Sequence, residues 1–522
     1  MKPGFLVSVL LVGTMCQTGA AQEARSIVQV AAAHMGAANL RTIQISGSGF
    51  TAAIGQSYRV TDDFPRFEMP AYTKLIDYDG RVMREEYTRR QGSYPPVGGG
   101  FTPLQGEPRT IALVNGNFAW NLDGTNVVPQ PGKYLAGMPM AEARQLEIIM
   151  TPHGFLKAAL ASPALQSMTQ RYAGSVTDGT TGDWRQATVV SFMALGKYRV
   201  NGTINDRNEV ELVTTWIPTP FYGDTIYEIR YINYKEFGGI RFPTLMHSHI
   251  GDPIFNQGHN TLDVQVSDVK ANVAMPAMAV PDTVRTATVP QVRAVPQKLA
   301  DGVYLIAGGS HNSVAVEFKD FVTVIEAPVD EERSLAVIDA VIKTIPNKEI
   351  RYVVNTHHHF DHSGGLRTYV AQGTVVVATP ANLEFYRTVM LYPMPRTLQP
   401  DRMAIFAPMN TNNRSPWVME PVHGRYVISD GVRTLELHPV LGNPHAVGML
   451  MAYLPAEKIL VNADLFTPPP PNAPTPTATP AIRNLLANIR RLKLDVAQHV
   501  PLHGAPGPHD ALVKITGGGG AQ

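Results

Sequence analysis

The chain has 522 residues, of which 44% are hydrophobic and 17% are charged, and its formal net charge is +1. This length exceeds what one ordinary hydrophobic core supports, so the chain is predicted to form at least two domains. The near-zero charge and the lack of long runs of one sign argue against nucleic-acid binding.

The amino terminus has the pattern of an export signal. Lys2 precedes an apolar run over residues 5–15, and small residues follow at 18–21. We therefore predict a cleaved signal peptide over residues 1–22 and a periplasmic or secreted protein. The apolar run is too short for a permanent membrane span. Cys16, the sole cysteine, lies in this segment, so the mature protein would have neither disulfides nor thiolate ligands, although lipid attachment at Cys16 is an alternative.

Residues 23–273 have the pattern of strands separated by turns, and we predict an α+β, mainly antiparallel domain. A helical passage over 141–167 contains Thr151-Pro152 and is predicted to break there. The pattern loosely resembles the open barrel of periplasmic lipoprotein-carrier proteins. The predicted strands cover residues 42–50, 73–79, 111–122, 186–192, 209–216 and 225–234.

Prolines spaced among small residues over 274–297 predict an extended linker between domains. The remainder, 298–522, alternates strands and helices and is predicted to be an α/β domain. Two long segments, 392–420 and the proline-rich 468–480, are predicted to be loops that border a functional site.

Residues 351–366 carry the densest cluster of candidate ligands. A buried strand is predicted to end just before His357, and side chains at every second position of extended chain point the same way. His357, His359 and Asp361 would therefore converge, with His362 following where the chain begins to turn. Imidazole and carboxylate groups aimed at neighbouring points suit two adjacent divalent metals.

Three later residues have matching chemistry, each following a predicted strand: His445, Asp464 and His503. The motif His-x-His-x-Asp-His followed by a spaced His, Asp and His resembles the metallo-β-lactamase fold superfamily over roughly residues 299–503. The resemblance implies an αββα sandwich of the α/β class.

The resemblance also implies the ligand sets of two zinc ions per chain. His357, His359 and His445 would bind the first ion, Asp361, His362 and His503 would bind the second, and Asp464 would bridge them. Oxygen and nitrogen donors are also compatible with Mn or Fe.

Two further residues near this motif are candidates for supporting roles. The superfamily usually has an aspartate that closes the strand before the first crossover helix, whereas this chain has Glu326, which could orient a ligand. His311 lies in a loop that borders the active site in this fold, where substrate contact and a plain loop role are both open.

The function implied is a zinc-dependent hydrolase. A metal-bridging hydroxide would cleave an ester, lactone, thioester or amide of a small-molecule substrate, hydrophobic ones included, and Asp361 or Asp464 would relay a proton to the leaving group. Two alternatives remain: a mononuclear iron enzyme similar to persulfide dioxygenases, and a lipid or peptide carrier with a vestigial metal domain. The sequence leaves the oligomeric state open.

Overall fold

The computed structural model describes residues 7–173, 184–252, 258–391, 396–406 and 418–517. At the amino terminus, side chains are described from residue 21, so the side chain of Cys16 lies outside the described part. The predicted loop 392–420 is described only over 396–406 and 418–420. No helix within the described residues has both the length and the apolar character needed to cross a membrane.

The amino-terminal region is built on one antiparallel sheet of thirteen strands. Their order is β6-β5-β4-β3-β2-β1-β15-β14-β13-β12-β11-β10-β9, so most neighbours are joined by hairpins. The strands are β1 (Thr42–Ala52), β2 (Arg66–Asp77), β3 (Val82–Arg90), β4 (Arg109–Asn115), β5 (Phe118–Asp123), β6 (Asn126–Pro129), β9 (Gln166–Ala173), β10 (Trp184–Ala194), β11 (Tyr198–Ile204), β12 (Val210–Thr219), β13 (Gly223–Phe237), β14 (Ile240–Ile250) and β15 (His259–Ala271), with β7 (Lys133–Tyr134) and β8 (Met138–Pro139) forming a separate small pair.

Three helices pack on this sheet: α1 (Val7–His34), α2 (Met140–Met150) and α3 (Pro152–Ala161). The predicted break between α2 and α3 is confirmed. Thr151 caps α3 by accepting a hydrogen bond from the Gly154 amide, and Pro152 occupies the first turn, where its missing N–H costs nothing.

The segment predicted to be an extended linker is partly folded onto the sheet. It contains the short helix α4 (Asp282–Arg285), and Val284 is buried in a small cluster with Ile111, Leu113 and Trp120. The prolines break regular structure but do not prevent an apolar side chain from packing.

The carboxyl-terminal region contains two mixed sheets. Their orders are β16-β17-β18-β19-β20-β21-β22 and β23-β24-β25-β26-β27-β28. The strands are β16 (Val295–Ala300), β17 (Val303–Ala307), β18 (Ser313–Glu317), β19 (Phe321–Ile325), β20 (Glu349–Val354), β21 (Val375–Ala378), β22 (Met419–Pro421), β23 (Tyr426–Ser429), β24 (Thr434–Pro439), β25 (Leu450–Leu454), β26 (Ile459–Asn462), β27 (Gln498–Pro501) and β28 (Gly507–Pro508).

The two sheets share one hydrophobic core, with Leu305 and Val314 of the first sheet in the same cluster as Leu437 and Val461 of the second. Helices lie outside the sheets, which completes the predicted αββα sandwich. The helices are α5 (Glu331–Thr344), α6 (Phe360–Ser363), α7 (Leu366–Val370), α8 (Pro380–Phe385), α9 (Arg402–Phe406), α10 (Pro480–Leu492) and α11 (His509–Ile515), with a π-helical turn at Tyr386–Met390.

The two regions are joined by packed apolar side chains. Phe360, which lies within the His-x-His-x-Asp-His motif, is buried and stacks on Phe221 with ring centroids 3.9 Å apart. It also meets Phe64 and Tyr222 edge to face. These contacts place the motif directly against the amino-terminal sheet.

Candidate metal centre

The central motif follows strand β20, where Val353 and Val354 are buried. His357 and His359 lie in irregular chain, and a helical turn begins at Phe360. The expectation that Asp361 continues an extended chain is therefore wrong. The turn nevertheless brings Asp361 beside the histidines.

The sheet topology explains why distant residues meet. Strands β26 and β27 are parallel, with Asn462 opposite Pro501. Asp464 and His503 each lie two residues beyond that pair and so leave the same edge of the sheet. His445 lies in the β24–β25 loop, where Asn443 Oδ1 accepts hydrogen bonds from the amides of His445 and Ala446.

Asp464 stands between two groups of histidines. Its Oδ2 is 3.2 Å from His357 Nε2, 3.1 Å from His445 Nε2 and 2.9 Å from His362 Nε2. Its Oδ1 is 3.0 Å from His503 Nε2. This is the placement expected of a carboxylate that bridges two metals.

The side chains form two four-residue clusters, in each of which the ligand atoms lie within 4.8 Å of one another, and a third group of Glu326, His357 and His362 overlaps both. All seven residues predicted as ligands are brought together, and His311 joins them. The first cluster is His357, His359, His445 and Asp464, and the second is His311, Asp361, His362 and His503.

The hydrogen bonds of His359 and His362 engage one ring nitrogen of each and leave the other for the centre of the site. His359 Nε2 donates to the Ser57 carbonyl at 2.9 Å, and its Nδ1 is buried without a hydrogen-bond partner among the described residues. His362 Nδ1 donates to Glu326 Oε2 at 2.9 Å, which leaves its Nε2 facing Asp464 Oδ2 at 2.9 Å. Metal-binding histidines are held in this way.

The electrostatics also suit divalent cations. Three carboxylates, those of Glu326, Asp361 and Asp464, converge on His362. Burial lowers the pKa of His357 and of His359 well below the usual range, so both rings are neutral and available to bind metal. Buried carboxylates beside neutral imidazoles favour the binding of cations. The nitrogen and oxygen donors present fit one divalent metal in each cluster.

The pKa of the Asp464 carboxyl is lowered by its neighbours, as suits a metal ligand. Burial alone would raise the pKa of the Asp464 carboxyl, but His362 and His445 outweigh burial and hold it well below its usual range. Asp464 Oδ2 has imidazole nitrogens of His362, His445 and His357 at 2.9, 3.1 and 3.2 Å. The carboxylate is therefore ionised and faces the nitrogens that would share a metal with it.

Glu326 orients His362 and the chain around it. It is fully buried with φ of 79°, a left-handed conformation that non-glycine residues rarely adopt. Oε1 accepts from Asn355 Nδ2 at 2.6 Å and from the Thr356 amide at 3.2 Å, and Oε2 accepts from His362. Glu326 therefore still places a carboxylate beside the site, although it replaces the aspartate of the superfamily.

The Glu326→Gln variant is expected to weaken binding of the second metal by about 10- to 100-fold. Both oxygens of Glu326 accept hydrogen bonds. An amide would turn an NH₂ group toward one of these donors. Competition titration against a chromophoric chelator measures the effect.

Glu436→Gln is the matched control, because Glu436 also accepts from a histidine, His438 Nε2 at 2.9 Å, outside both clusters. Equal affinity of Glu326→Gln and the unmodified protein for both metals would contradict the assignment.

His311 is a site residue whose role the sequence left undecided. Its Nε2 lies 3.0 Å from Asp361 Oδ2, and its ring centroid is 4.1 Å from that of His503. Burial lowers the pKa of His311. The sole sequence signal was its place in a loop beside the site. His358 contributes to neither cluster, and its Nε2 instead bonds to the Ser57 carbonyl.

Comparison with known proteins identifies the carboxyl-terminal region. Residues 306–511 match the family model for the metallo-beta-lactamase superfamily, and this region of the chain belongs to that superfamily. The predicted fold class is thereby confirmed.

Among curated proteins, a linear primary-alkylsulfatase from Pseudomonas sp is 33% identical over 79 residues. That match covers 15% of this chain and only 12% of the alkylsulfatase.

Among solved structures, a metallo-beta-lactamase from Pontibacter korlensis is 22% identical with a TM-score of 0.30, covering 43% of this chain and 98% of that one. The metallo-beta-lactamase from Hirschia baltica is 18% identical with a TM-score of 0.29, covering 43% of this chain and 96% of that one.

Proposed function

We propose that the protein is an exported, binuclear metal-dependent hydrolase. Its substrates would be small molecules with an ester, lactone, thioester or amide bond. Because part of the chain is similar to an alkylsulfatase, we include sulfate esters among the candidate esters. The observation that carries the proposal is the Asp464 carboxylate, which contacts imidazoles of both clusters: His357 and His445 of the first, and His362 and His503 of the second.

The chain holds the groups that such a reaction needs. When bound, two divalent metals, with zinc favoured, supply a hydroxide nucleophile near neutral pH and polarise the oxygen of the scissile group. His357 and His359 are neutral and buried. Asp361 Oδ2 and His311 Nε2, 3.0 Å apart, form a pair at the more exposed side of the site that can pass a proton to the leaving group.

Export is supported by the amino-terminal pattern of a basic residue, an apolar run and small residues. Within the described part of α1, the first buried side chain is that of Ala24. Cleavage after residue 22 would leave this packed portion intact.

Removal of metal is expected to abolish hydrolysis. The purified protein would be assayed on a panel of carboxylate esters, lactones, thioesters, amides and alkyl sulfates, with metal content measured in parallel. We expect two metals per chain, loss of activity on chelation and recovery on adding Zn²⁺. The Asp361→Ala variant should fold and retain one metal. Hydrolysis that persists after all metal is removed would falsify the proposal.

Metal analysis also separates the mononuclear alternative. One iron per chain with oxygen-dependent turnover of a persulfide would favour a dioxygenase. Two zinc ions per chain would exclude it.

A further inference from the structure

The first observation is that a segment of the amino-terminal region crosses the metal-binding motif. This segment, residues 53–58, follows β1 and meets the motif at its backbone. The Gly55 carbonyl accepts from the Phe360 amide at 3.2 Å, and the Ser57 carbonyl accepts from His359 Nε2 at 2.9 Å. The Tyr58 carbonyl accepts from the Val447 amide at 2.7 Å, so the segment is also tied to the loop that carries His445.

Glycines make this close approach possible. Gly55 has φ of 79°, and a Cβ there would lie 2.3 Å from the Phe360 ring. A Cβ on Gly99 would lie 2.0 Å from Gln56 Oε1 and 2.8 Å from His359 Cε1. Any larger residue at either place would push the segment away from the metal centre.

The side-chain amide of Gln56 has one orientation that satisfies its hydrogen bonds. Gln56 Oε1 accepts a hydrogen bond from the Gly100 amide at 3.1 Å. Gln56 Nε2 therefore faces the motif and donates to Asp361 Oδ1 at 2.8 Å. The opposite amide orientation would put an NH₂ group against an N–H and an oxygen against a carboxylate.

This bond determines which oxygen of Asp361 faces the site. With Oδ1 bound to Gln56, Asp361 Oδ2 points at the imidazoles, 3.7 Å from His362 Nε2 and 3.9 Å from His503 Nε2. A ligand carboxylate is held in one rotamer when its other oxygen is hydrogen-bonded.

We propose that Gln56 is a positioning residue for the second metal, so that the amino-terminal region forms part of the active site rather than a separate binding module. Gln56 lies outside residues 306–511, the part that matches the superfamily. The inference rests on the proposed metal-dependent function, and it adds that the superfamily region of this chain is incomplete without the segment 53–58.

The test is metal binding by the full chain carrying Gln56→Met, a substitution of similar length that removes the amide. Co²⁺ would be titrated into metal-free protein, with its visible absorption recording each site. We expect the first equivalent to bind as in the unmodified protein and the second to bind about 10- to 100-fold more weakly. We also expect kcat to fall at two-metal occupancy while KM changes little.

Gln265→Leu is the matched control, because Gln265 also donates to an aspartate, Asp263 at 3.4 Å, on the exposed face of the sheet. It should bind both equivalents normally. If Gln56 acts only in folding, its replacement would lower the melting temperature of the metal-free protein. It would not weaken the binding of the second Co²⁺ equivalent relative to the first. If Gln56→Met does not fold, Gln56→Asn retains an amide one methylene too short to reach and carries the same test.

The outcomes distinguish this inference from the proposed function. If the unmodified protein binds no metal, the proposed function fails. If it binds two metals and the Gln56 variants bind both with unchanged affinity and absorption, the proposed function stands and the role of Gln56 is overturned.

Discussion

Replacing Asp464 by alanine is expected to lower kcat/KM by about 10³-fold or more. Asp464 contacts histidines of both clusters, so its loss weakens both metals. Metal ions contribute several kcal/mol of transition-state stabilisation, and each 1.4 kcal/mol is a factor of ten in rate. Steady-state kinetics and elemental analysis of the same preparation check the result.

The appropriate control for Asp464→Ala is Asp495→Ala. Asp495 pairs with Lys458 at the surface, with 72% of its side chain exposed. That variant should retain two metals and full activity. An Asp464→Ala protein that retains two metals and loses less than tenfold in kcat/KM would be incompatible with a bridging role.

The Phe360→Ala variant is expected to destabilise the metal-free protein by about 3–5 kcal/mol, the usual cost of deleting a buried aromatic ring. The ring is 7% exposed and packs between Phe221 and the backbone of Gly55. Its removal would leave a cavity between the two regions. Urea denaturation followed by tryptophan fluorescence measures the shift in midpoint.

Phe101→Ala serves as the comparison, because Phe101 is 88% exposed. The free energy of unfolding of this variant should stay within about 0.5 kcal/mol of that of the unmodified protein. Equal midpoints for the two variants would show that the contact through Phe360 does not stabilise the chain.

Local patterns predicted the carboxyl-terminal elements well. The alternation of strands and helices predicted over 298–522 is seen in the structure, for example at strand β17 (Val303–Ala307) and helix α5 (Glu331–Thr344), because their apolar residues mark short buried strands and one-sided helices. The seven candidate ligands follow strand ends or turns whose direction is set by the sheet. The resemblance supplied their pairing, which local geometry alone did not.

The amino-terminal sheet was less predictable because several strands carry charge. Strand β3 contains Arg84, Glu85 and Glu86 and has little apolar alternation. In the structure, Glu85 pairs with Lys74 on the neighbouring strand at 3.0 Å. Such cross-strand pairs stabilise a strand that its own composition does not indicate.

Contacts between the two regions could not be predicted from local sequence patterns. Gln56 and Asp361 are 305 positions apart, and no pattern around Gln56 marks it as part of a metal site. The packing of Val284 on Trp120 is likewise a tertiary contact within a segment whose prolines indicated a linker. Sequence periodicity reports which face of an element is buried, but not its distant partner.

The backbone at the metal centre has a thermodynamic consequence. Asp464 and Glu326 both have positive φ, 54° and 79°, and each such residue costs about 1–3 kcal/mol. Glycine would remove that cost, but it would also remove the carboxylate. The metal-free chain therefore carries local strain, and metal bound at this site would add about 2.7 kcal/mol of stability when free metal is a hundred times its dissociation constant. Metal supply would then regulate how long the folded protein persists as well as how fast it works.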